Sequence, residues 1–200
     1  MKPDAFYHEH SRGLQHRFGT TGLAGHLAEK YVLDRLEPEH QEWIAAADEV
    51  FVATVGPDGR PDCSYKGGLP GFVRVLDART LELPSYDGNG MYRTLGNAVA
   101  AAHVALLFLP ADVPGKLRVG GRARLLTDPE AVAAHEGAEA VLRITVDQVF
   151  ENCPRYLHDR ATGAHSAHCP RPGHLPPEPE WKKKPEYEGL LPLRGPGHPG

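Results

Sequence analysis

The sequence predicts a mainly β protein in which six or seven antiparallel strands close into a barrel, with a few short helices at its periphery. Between residues 50 and 150, short runs rich in β-branched and aromatic residues alternate with turn-forming residues. The segments between most of these runs are too short for crossover helices, so hairpins connect the strands. Closure into a barrel is expected because it removes exposed strand edges.

Composition limits the class of protein. The chain has 200 residues, which suits one domain with a sizeable core. Its net charge of −4 and isoelectric point near 6.3 argue against a nucleic-acid surface, and no apolar run approaches the ~20 residues of a membrane helix. The start lacks the apolar core of a secretory signal, and three widely spaced cysteines make no disulfide framework. We therefore expect a cytoplasmic protein with no nucleic-acid or membrane partner.

The first 48 residues predict a helical extension. Residues 1–19 are polar and rich in histidine, without a clear period. Thr20 or Thr21 is a suitable cap for a helix that runs to residue 36 and ends before Pro38. A second short helix is predicted for residues 38–48.

The strand predictions begin with the apolar run at residues 50–55. In the turn Gly56-Pro57-Asp58-Gly59, proline presets φ and glycine accepts a positive φ, so residues 60–66 return as the second strand of a hairpin. Asp128-Pro129-Glu130 has the aspartate cap and first-turn proline that begin a helix. The remaining predicted elements are strands at 72–76, 80–83, 103–109, 117–126 and 140–150, a helix at 89–102 and a loop at 110–115.

The C-terminal segment is rich in Pro, Gly and His, so it either is disordered or lies over another part of the protein. We therefore divide the chain into a helical extension (1–48), a barrel domain (49–151) and a C-terminal extension (152–200). The last contains side chains suited to zinc or copper, namely His165, His168, Cys169 and His174. Their spacing fits no standard zinc finger, so a solvated tail without metal is the expectation.

Two short polar segments in the apolar middle of the chain predict an anion site, most simply for a phosphate. In strand 60–66 the side chains alternate between faces, so Ser64 and Lys66 present a hydroxyl and an ammonium on the same side. Gly67 and Gly68 follow and let the backbone approach a ligand. A solvated outer strand face is the alternative interpretation.

The second polar segment lies on the predicted helix 89–102. Asn89, Arg93 and Asn97 are four residues apart and form a polar stripe opposite an apolar face. The planar guanidinium of Arg93 and the backbone N–H groups of a helix start suit a phosphate. An ordinary amphipathic helix is the alternative, although the glycines of this segment lower helix stability without an obvious packing return.

The strand predicted at 117–126 is a third source of cations. It places three arginines on one face, which usually indicates contact with solvent and ion pairs. Arg118, or Lys116 just before the strand, is a further candidate to reach the ligand.

Four segments occur in a fixed order along the chain: Phe51-Val52-Ala53-Thr54-Val55-Gly56-Pro57-Asp58-Gly59-Arg60-Pro61, Ser64-Tyr65-Lys66-Gly67-Gly68, 93–97 before Leu106-Leu107-Phe108, and Leu117-Arg118-Val119-Gly120-Gly121-Arg122-Ala123. Together they resemble the FMN-binding split-barrel proteins related to pyridoxamine 5′-phosphate oxidase. The resemblance runs from about residue 51 to residue 150.

This resemblance implies an antiparallel split β-barrel, an FMN cofactor, and a homodimer that holds FMN at its interface. It also implies a flavin-dependent oxidoreductase that acts on a small molecule. By resemblance, Arg93 grips the FMN phosphate, Lys66 contacts the flavin or its phosphate, and Lys116 falls at a flavin-contacting position. Thr94 stands where relatives often have a lysine. The predicted cofactor site consists of Ser64, Tyr65, Lys66, Gly67, Arg93, Thr94, Asn97, Lys116 and Arg118.

The C-terminal part departs from true pyridoxamine phosphate oxidases. Tyr156-Leu157-His158-Asp159-Arg160 is similar to their substrate-binding Arg-Leu-His-Asp-Arg segment, but the preceding residues indicate a different local structure. We therefore do not assign the substrate of those oxidases to this protein, and its own substrate stays unidentified. Tyr65, Tyr92 and His158 are open candidates for an acid or base, and Cys153 is either redox-active or an inert thiol. The alternatives are a heme- or deazaflavin-binding protein with a similar barrel, and a non-catalytic flavin-binding protein.

Overall fold

A computed structural model of the protein describes residues 6–110, 115–159 and 161–192. Arg160 and most of the predicted loop 110–115 lie outside the described residues. The chain divides into two compact units. One runs from Leu33 to Cys153, and the other combines Met1–Val32 with Pro154–Gly200.

The first unit is built on one antiparallel sheet of seven strands, in the order β2-β1-β5-β6-β7-β4-β3. The prediction of a mainly β, antiparallel fold is therefore confirmed. The hydrogen-bonded row ends at β2 on one side and β3 on the other, as in a barrel that is split rather than closed. The strands are β1 (Glu49–Val55), β2 (Pro61–Gly67), β3 (Arg74–Asp77), β4 (Thr80–Tyr86), β5 (His103–Phe108), β6 (Lys116–Leu126) and β7 (Ala138–Asn152).

A single apolar core fills the inside of this sheet. Its largest fully buried side chains come from several strands and from one helix, and include Phe108, Leu81, Leu106, Leu117 and Ile44. None of the side chains of β2, all of which the structure describes, belongs to this core. The inward face of β2 is therefore available for a ligand instead of for packing.

Five α-helices lie among the described residues: α1 (Glu9–Arg17), α2 (Thr21–Tyr31), α3 (Pro38–Ala46), α4 (Arg93–Ala101) and α5 (Pro129–Ala133). Helix α5 starts as predicted, because the side chain of Asp128 accepts a hydrogen bond from the backbone N–H of Ala131 at 3.0 Å. Helix α1 lies within residues 1–19, to which no individual element was assigned from the sequence. The predicted end of α2 was wrong: the helix ends before residue 36, because Leu33 pairs with Val149 as an isolated β-bridge.

Helix α4 begins four residues later than predicted, at Arg93 instead of Asn89. The side chain of Asn89 accepts a hydrogen bond from the backbone N–H of Met91 at 3.0 Å, and Gly90 has a φ of +71°. This local turn competes with helix formation. The predicted polar stripe therefore does not exist as such, because Asn89 lies in a loop and Arg93 opens the helix.

Strand β4 continues past the predicted residue 83 and through Pro84 to Tyr86. A proline removes a donor from a sheet and is tolerated where one side of the strand is open. Strand β3 pairs with β4 only as far as Glu82, so β4 has such an open side beyond that residue. On the other side, β7 pairs with β4 along its whole length.

The second unit contains contacts between an N-terminal and a C-terminal segment of the described chain. Two 3-10 turns, Glu180–Lys183 and Pro185–Tyr187, follow an irregular segment. Glu186 forms an ion pair with Lys30 and accepts a hydrogen bond from the Tyr31 hydroxyl at 2.9 Å. The hydrogen bond from Lys30, followed by that from Tyr31, lowers the pKa of Glu186 to about 2. The part of the chain that the structure describes contains no helix that is both long and apolar enough to cross a membrane.

Candidate functional site

A cavity of about 220 Å³ lies between the inward face of β2, the end of β4 with the loop that follows it, and the first turn of α4. We call it the cofactor cavity. Four of the nine residues predicted to form the cofactor site line it: Ser64, Lys66, Arg93 and Thr94. The two polar segments singled out in the sequence therefore meet at one place.

The wall formed by β2 follows the predicted alternation. Asp62, Ser64 and Lys66 are half-buried, whereas the residues between them are exposed. Pairing with β1 fixes this register, since Ser64 lies opposite Val52 and Lys66 opposite Val50. Among the described residues, the ammonium of Lys66 has no ion-pair partner, so its charge is available to an anion.

The opposite wall is the N-terminus of α4. Gly96 donates the first i→i−4 hydrogen bond of the helix to the carbonyl of Tyr92, at 2.8 Å. The N–H groups of Arg93, Thr94 and Leu95 precede that bond and have no partner within the helix. No side chain caps this end. Its donors and the positive end of the helix dipole therefore favour a negatively charged group.

Tyr92 is the N-cap residue and has a left-handed backbone, with φ at +49°. Such a conformation is uncommon for a residue with a side chain and is often found at functional sites. The Tyr92 hydroxyl donates a hydrogen bond to Glu139 at 3.0 Å. This bond, followed by the negative charge of Glu139, raises the pKa of Tyr92. Tyr92 therefore lines the cavity with its phenol proton already engaged.

Asp62 is the one carboxylate among the residues that line the cavity. Its Oδ1 lies 3.4 Å from Nε of Arg93, and it is half-buried, whereas Arg93 is 59% exposed. The ion pair neutralises one of the two cations and leaves the cavity with a net positive charge.

Several residues of the cavity were not predicted from the sequence. Ser85 and Tyr86 line it because β4 extends two residues beyond Pro84, which the sequence pattern did not indicate. Met91 and the glycines of the preceding loop complete this side. The Asn89-Gly90 pair was the available sequence signal for a turn at this point, and Gly90 adopts a positive φ.

The other predicted cofactor residues do not line this cavity. The ring of Tyr65 packs edge-on against Phe51, on the exposed face of β2, and Gly67 ends that strand. The side chain of Asn97 donates a hydrogen bond to the Thr54 hydroxyl at 3.0 Å, so it fastens α4 to β1.

Lys116 and Arg118 lie on β6, away from the cavity wall formed by β2. Lys116 pairs with Asn152 at the start of the strand, and the guanidinium of Arg118 lies 4.9 Å from the centre of the Phe150 ring. The pairing of β6 with β7 therefore fixes the position of Lys116, and a cation–π contact with Phe150 holds Arg118.

Apart from Cys153, which ends the first unit, the remaining candidates lie in the second unit. His158 and His165 face each other with ring nitrogens 3.4 Å apart, and the Nε2 of His174 lies 2.6 Å from the carbonyl oxygen of Ala167. Within the ranges that the structure describes, no three His, Cys, Asp or Glu side chains are grouped so that they could hold a metal ion. Cys63, Cys153 and Cys169 are free thiols.

The family model described as Pyridoxamine 5′-phosphate oxidase matches residues 36–153. The chain belongs to the pyridoxamine 5′-phosphate oxidase family. The matched segment contains all seven strands, helix α4 and every residue of the cofactor cavity. The family resemblance inferred from the sequence is therefore confirmed. No curated relative matches the chain.

Solved structures similar to this family member come from several bacteria. The H111A variant of HupZ from Group A Streptococcus is 20% identical, with 58% of this chain and 99% of that chain covered and a TM-score of 0.49. A candidate pyridoxamine 5′-phosphate oxidase from Lactobacillus delbrueckii is 27% identical, with 59% and 99% covered and a TM-score of 0.44. HutZ, a heme storage protein from Vibrio cholerae, is 15% identical, with 60% and 96% covered and a TM-score of 0.43.

Proposed function

We propose that this protein binds FMN and acts as an FMN-dependent oxidoreductase on a small molecule. The observation that carries the proposal is the arrangement of Lys66 and Arg93, which line one cavity from opposite walls. Membership of the pyridoxamine 5′-phosphate oxidase family supports FMN as the ligand that such a cavity would hold.

The side chains present fit the phosphate end of FMN. A phosphate carries up to two negative charges and accepts several hydrogen bonds, and the cavity offers two cations and the hydroxyls of Ser64 and Thr94. The uncapped N-terminus of α4 adds backbone donors. Thr94 is 6% exposed and lies in the first turn, so it donates from a fixed position but brings no charge. The arginine therefore provides the main ionic contact on this wall.

The size of the cavity argues that one chain forms only part of the cofactor site. Its volume of about 220 Å³ is below the ~300–1,000 Å³ range of most small-molecule sites. It suits the phosphate end of FMN but not the whole cofactor with its three-ring system. We therefore propose that the ring lies beyond this cavity and that a second copy of the chain, in a homodimer, completes the site.

When bound, FMN supplies hydride transfer at its ring, which no amino-acid side chain provides. The residues of this chain bind and orient it. Lys66 and Arg93 fix the phosphate end, and Ser64 lies on the same strand face as Lys66. Tyr92 is not proposed as an acid, because its hydroxyl proton is donated to Glu139.

The visible absorbance of the protein as purified tests the identity of the cofactor, together with mass spectrometry of the compound released on heating. We expect the two absorbance bands of an oxidised flavin and the mass of FMN. A Soret band would instead identify a heme protein, and the mass of a deazaflavin would reassign the cofactor; either result overturns the proposal.

A second experiment separates an enzyme from a protein that only holds flavin. Reduced nicotinamide nucleotides are added to the FMN-loaded protein under anaerobic conditions, and the flavin bands are followed. We expect them to bleach and to return when oxygen is admitted. If dithionite bleaches the bands but the nicotinamide nucleotides do not, the protein binds FMN but does not use reduced nicotinamide nucleotides as its reductant.

A further inference from the structure

A row of charged residues crosses the sheet on its outer face, away from the cofactor cavity. Arg124 of β6 pairs directly with Arg143 of β7, Arg143 pairs with Glu82 of β4, and Glu82 pairs with Arg74 of β3. Side chains at directly paired positions of neighbouring strands lie on the same face and are close together. Three arginines and one glutamate therefore form a continuous row.

The glutamate of this row is already saturated. Glu82 is 3% exposed, and its Oε1 accepts hydrogen bonds from Nη2 and Nε of Arg143 at 2.6 and 3.0 Å. Its Oε2 lies 3.0 Å from Nε2 of His135 and 3.7 Å from Nη1 of Arg74. The carboxylate balances the charge of Arg143 and has little capacity left for another arginine.

Arg124 lacks such a partner. It is exposed and lies directly opposite Arg143, and in the described part of the chain its guanidinium has no ion pair or hydrogen bond. Like charges at directly opposed strand positions are destabilising unless something compensates them. An anion held between the two guanidinium groups would provide that compensation.

These arginines border a cavity of about 480 Å³ between the sheet and α5, which we call the arginine cavity. Leu126 and Ala131 form part of its lining. Three carboxylates also line it: that of Glu82, which is engaged by Arg143 and His135, and those of Asp128 and Glu130. Asp128 accepts the capping hydrogen bond of α5 at 3.0 Å, and Glu130 is exposed. Its volume lies within the ~300–1,000 Å³ range of small-molecule sites, and it shares no lining residue with the cofactor cavity.

We propose that the arginine cavity is a second binding site, for a small molecule that carries an oxyanion group, and that Arg124 is its main contact. A guanidinium offers a planar pair of N–H donors that matches a carboxylate or a phosphate. Arg143 is held in place by Glu82, so it presents a fixed donor beside the exposed guanidinium of Arg124. Arg74, beyond Glu82, binds the far side of a larger anion.

Isothermal titration of the full-length protein with inorganic phosphate, and separately with citrate, tests this site at constant ionic strength, with chloride as the compensating salt. We expect saturable binding of at least one anion and a loss of affinity of tenfold or more in Arg124→Gln. The stronger anion identifies whether the ligand group is a phosphate or a carboxylate. The side chain of Arg124 makes no described hydrogen bond, so its substitution is expected to leave the sheet intact, which the thermal midpoint of the variant checks.

Two variants serve as controls. Arg122→Gln removes a charge from the same strand and exposed face, but Arg122 contacts His103 and lies outside the arginine cavity. Arg93→Ala removes one of the two cations of the cofactor cavity. We expect Arg122→Gln to retain the anion affinity of the wild type. We expect Arg93→Ala to retain the binding that Arg124→Gln removes, and to lose only anion bound in the cofactor cavity. Loss of binding in Arg93→Ala but not in Arg124→Gln would place the anion in the cofactor cavity, and absence of saturable binding in the wild type would also overturn the proposal.

Discussion

The Nε of Arg93 lies 3.4 Å from Oδ1 of Asp62, so the one carboxylate of the cofactor cavity contacts its arginine through the Nε edge. In the described residues, the guanidinium of Arg93 has no second ion-pair partner. Its two terminal Nη groups are therefore available as a fork for an oxyanion. Asp62 thus both orients the arginine and places a negative charge beside the position of the proposed phosphate.

Replacement of Arg93 by alanine is expected to weaken FMN binding about ten- to a hundredfold. The reason is the loss of a charge-assisted hydrogen bond, which contributes about 1.5–3 kcal/mol. Quenching of flavin fluorescence during titration of the apoprotein measures the affinity. Arg122→Ala is the matched control, because it removes an exposed arginine of β6 that does not line the cofactor cavity. Equal affinities for both variants would show that Arg93 does not hold the phosphate.

Replacement of Asp62 by asparagine is expected to strengthen FMN binding about three- to tenfold. The amide oxygen can still accept the hydrogen bond from Arg93, whereas the charge that repels the phosphate is gone. The gain should shrink as salt is raised, because screening weakens the repulsion. The same fluorescence titration at two ionic strengths measures it. A weaker affinity in Asp62→Asn would mean that the full ion pair is required to position Arg93.

The fold could be predicted where local patterns decide it. The first hairpin follows from its turn, in which Gly56 donates a backbone hydrogen bond to Arg60 at 2.9 Å and Gly59 has a φ of +78°. The start of α4 was misplaced, because the periodic apolar face extends over residues where the side chain of Asn89 forms a turn instead of a helix. Helix boundaries depend on such local competition more than on periodicity.

The β2 wall of the candidate site could be predicted from the sequence, whereas its other walls could be predicted only in part. Alternation along a strand places Ser64 and Lys66 on one face whatever surrounds them. Ser85 reaches the cavity because β4 continues along β7, which is a contact between distant parts of the chain. Asn97 was predicted to contact the ligand because its spacing from Arg93 is helical. Its hydrogen-bond partner is Thr54 of β1, a contact that helical spacing alone does not reveal.

Replacement of Ala102 by glycine is expected to stabilise the protein by about 0.5–1 kcal/mol. Ala102 ends α4 with a left-handed backbone, at a φ of +59°, a conformation that glycine adopts without steric cost. Urea unfolding measures the free energy. Ala100→Gly is the control, because Ala100 is an exposed residue inside the same helix, where glycine should destabilise by about 0.5–1 kcal/mol. Destabilisation by both changes would show that the left-handed backbone at Ala102 carries no strain.

Replacement of Glu82 by glutamine is expected to destabilise the protein by about 1–3 kcal/mol at neutral pH and to flatten its acid dependence. Burial raises the pKa of Glu82, but the hydrogen bonds from Arg143 and His135 outweigh it, so the pKa lies below the ordinary value. A carboxyl with a lower pKa in the folded state stabilises the fold above its unfolded pKa, near 4.3, and loses this effect as pH falls through the folded value. The Glu82→Gln variant has no carboxyl at this position, so its free energy of unfolding should decline less than that of the wild type as pH falls.

Urea unfolding at several pH values between neutrality and pH 3 measures both effects of the Glu82 substitution. Glu130→Gln is the matched control. Glu130 is exposed on α5 and also lines the arginine cavity, so its replacement removes the same charge from the same place. It should leave the stability within about 0.5 kcal/mol of the wild type and keep the acid dependence, because surface substitutions away from buried networks have small effects. An unchanged acid slope in Glu82→Gln would show that the folded and unfolded pKa values of Glu82 are alike. In that case Arg143 and His135 would not stabilise its charged form beyond what water does.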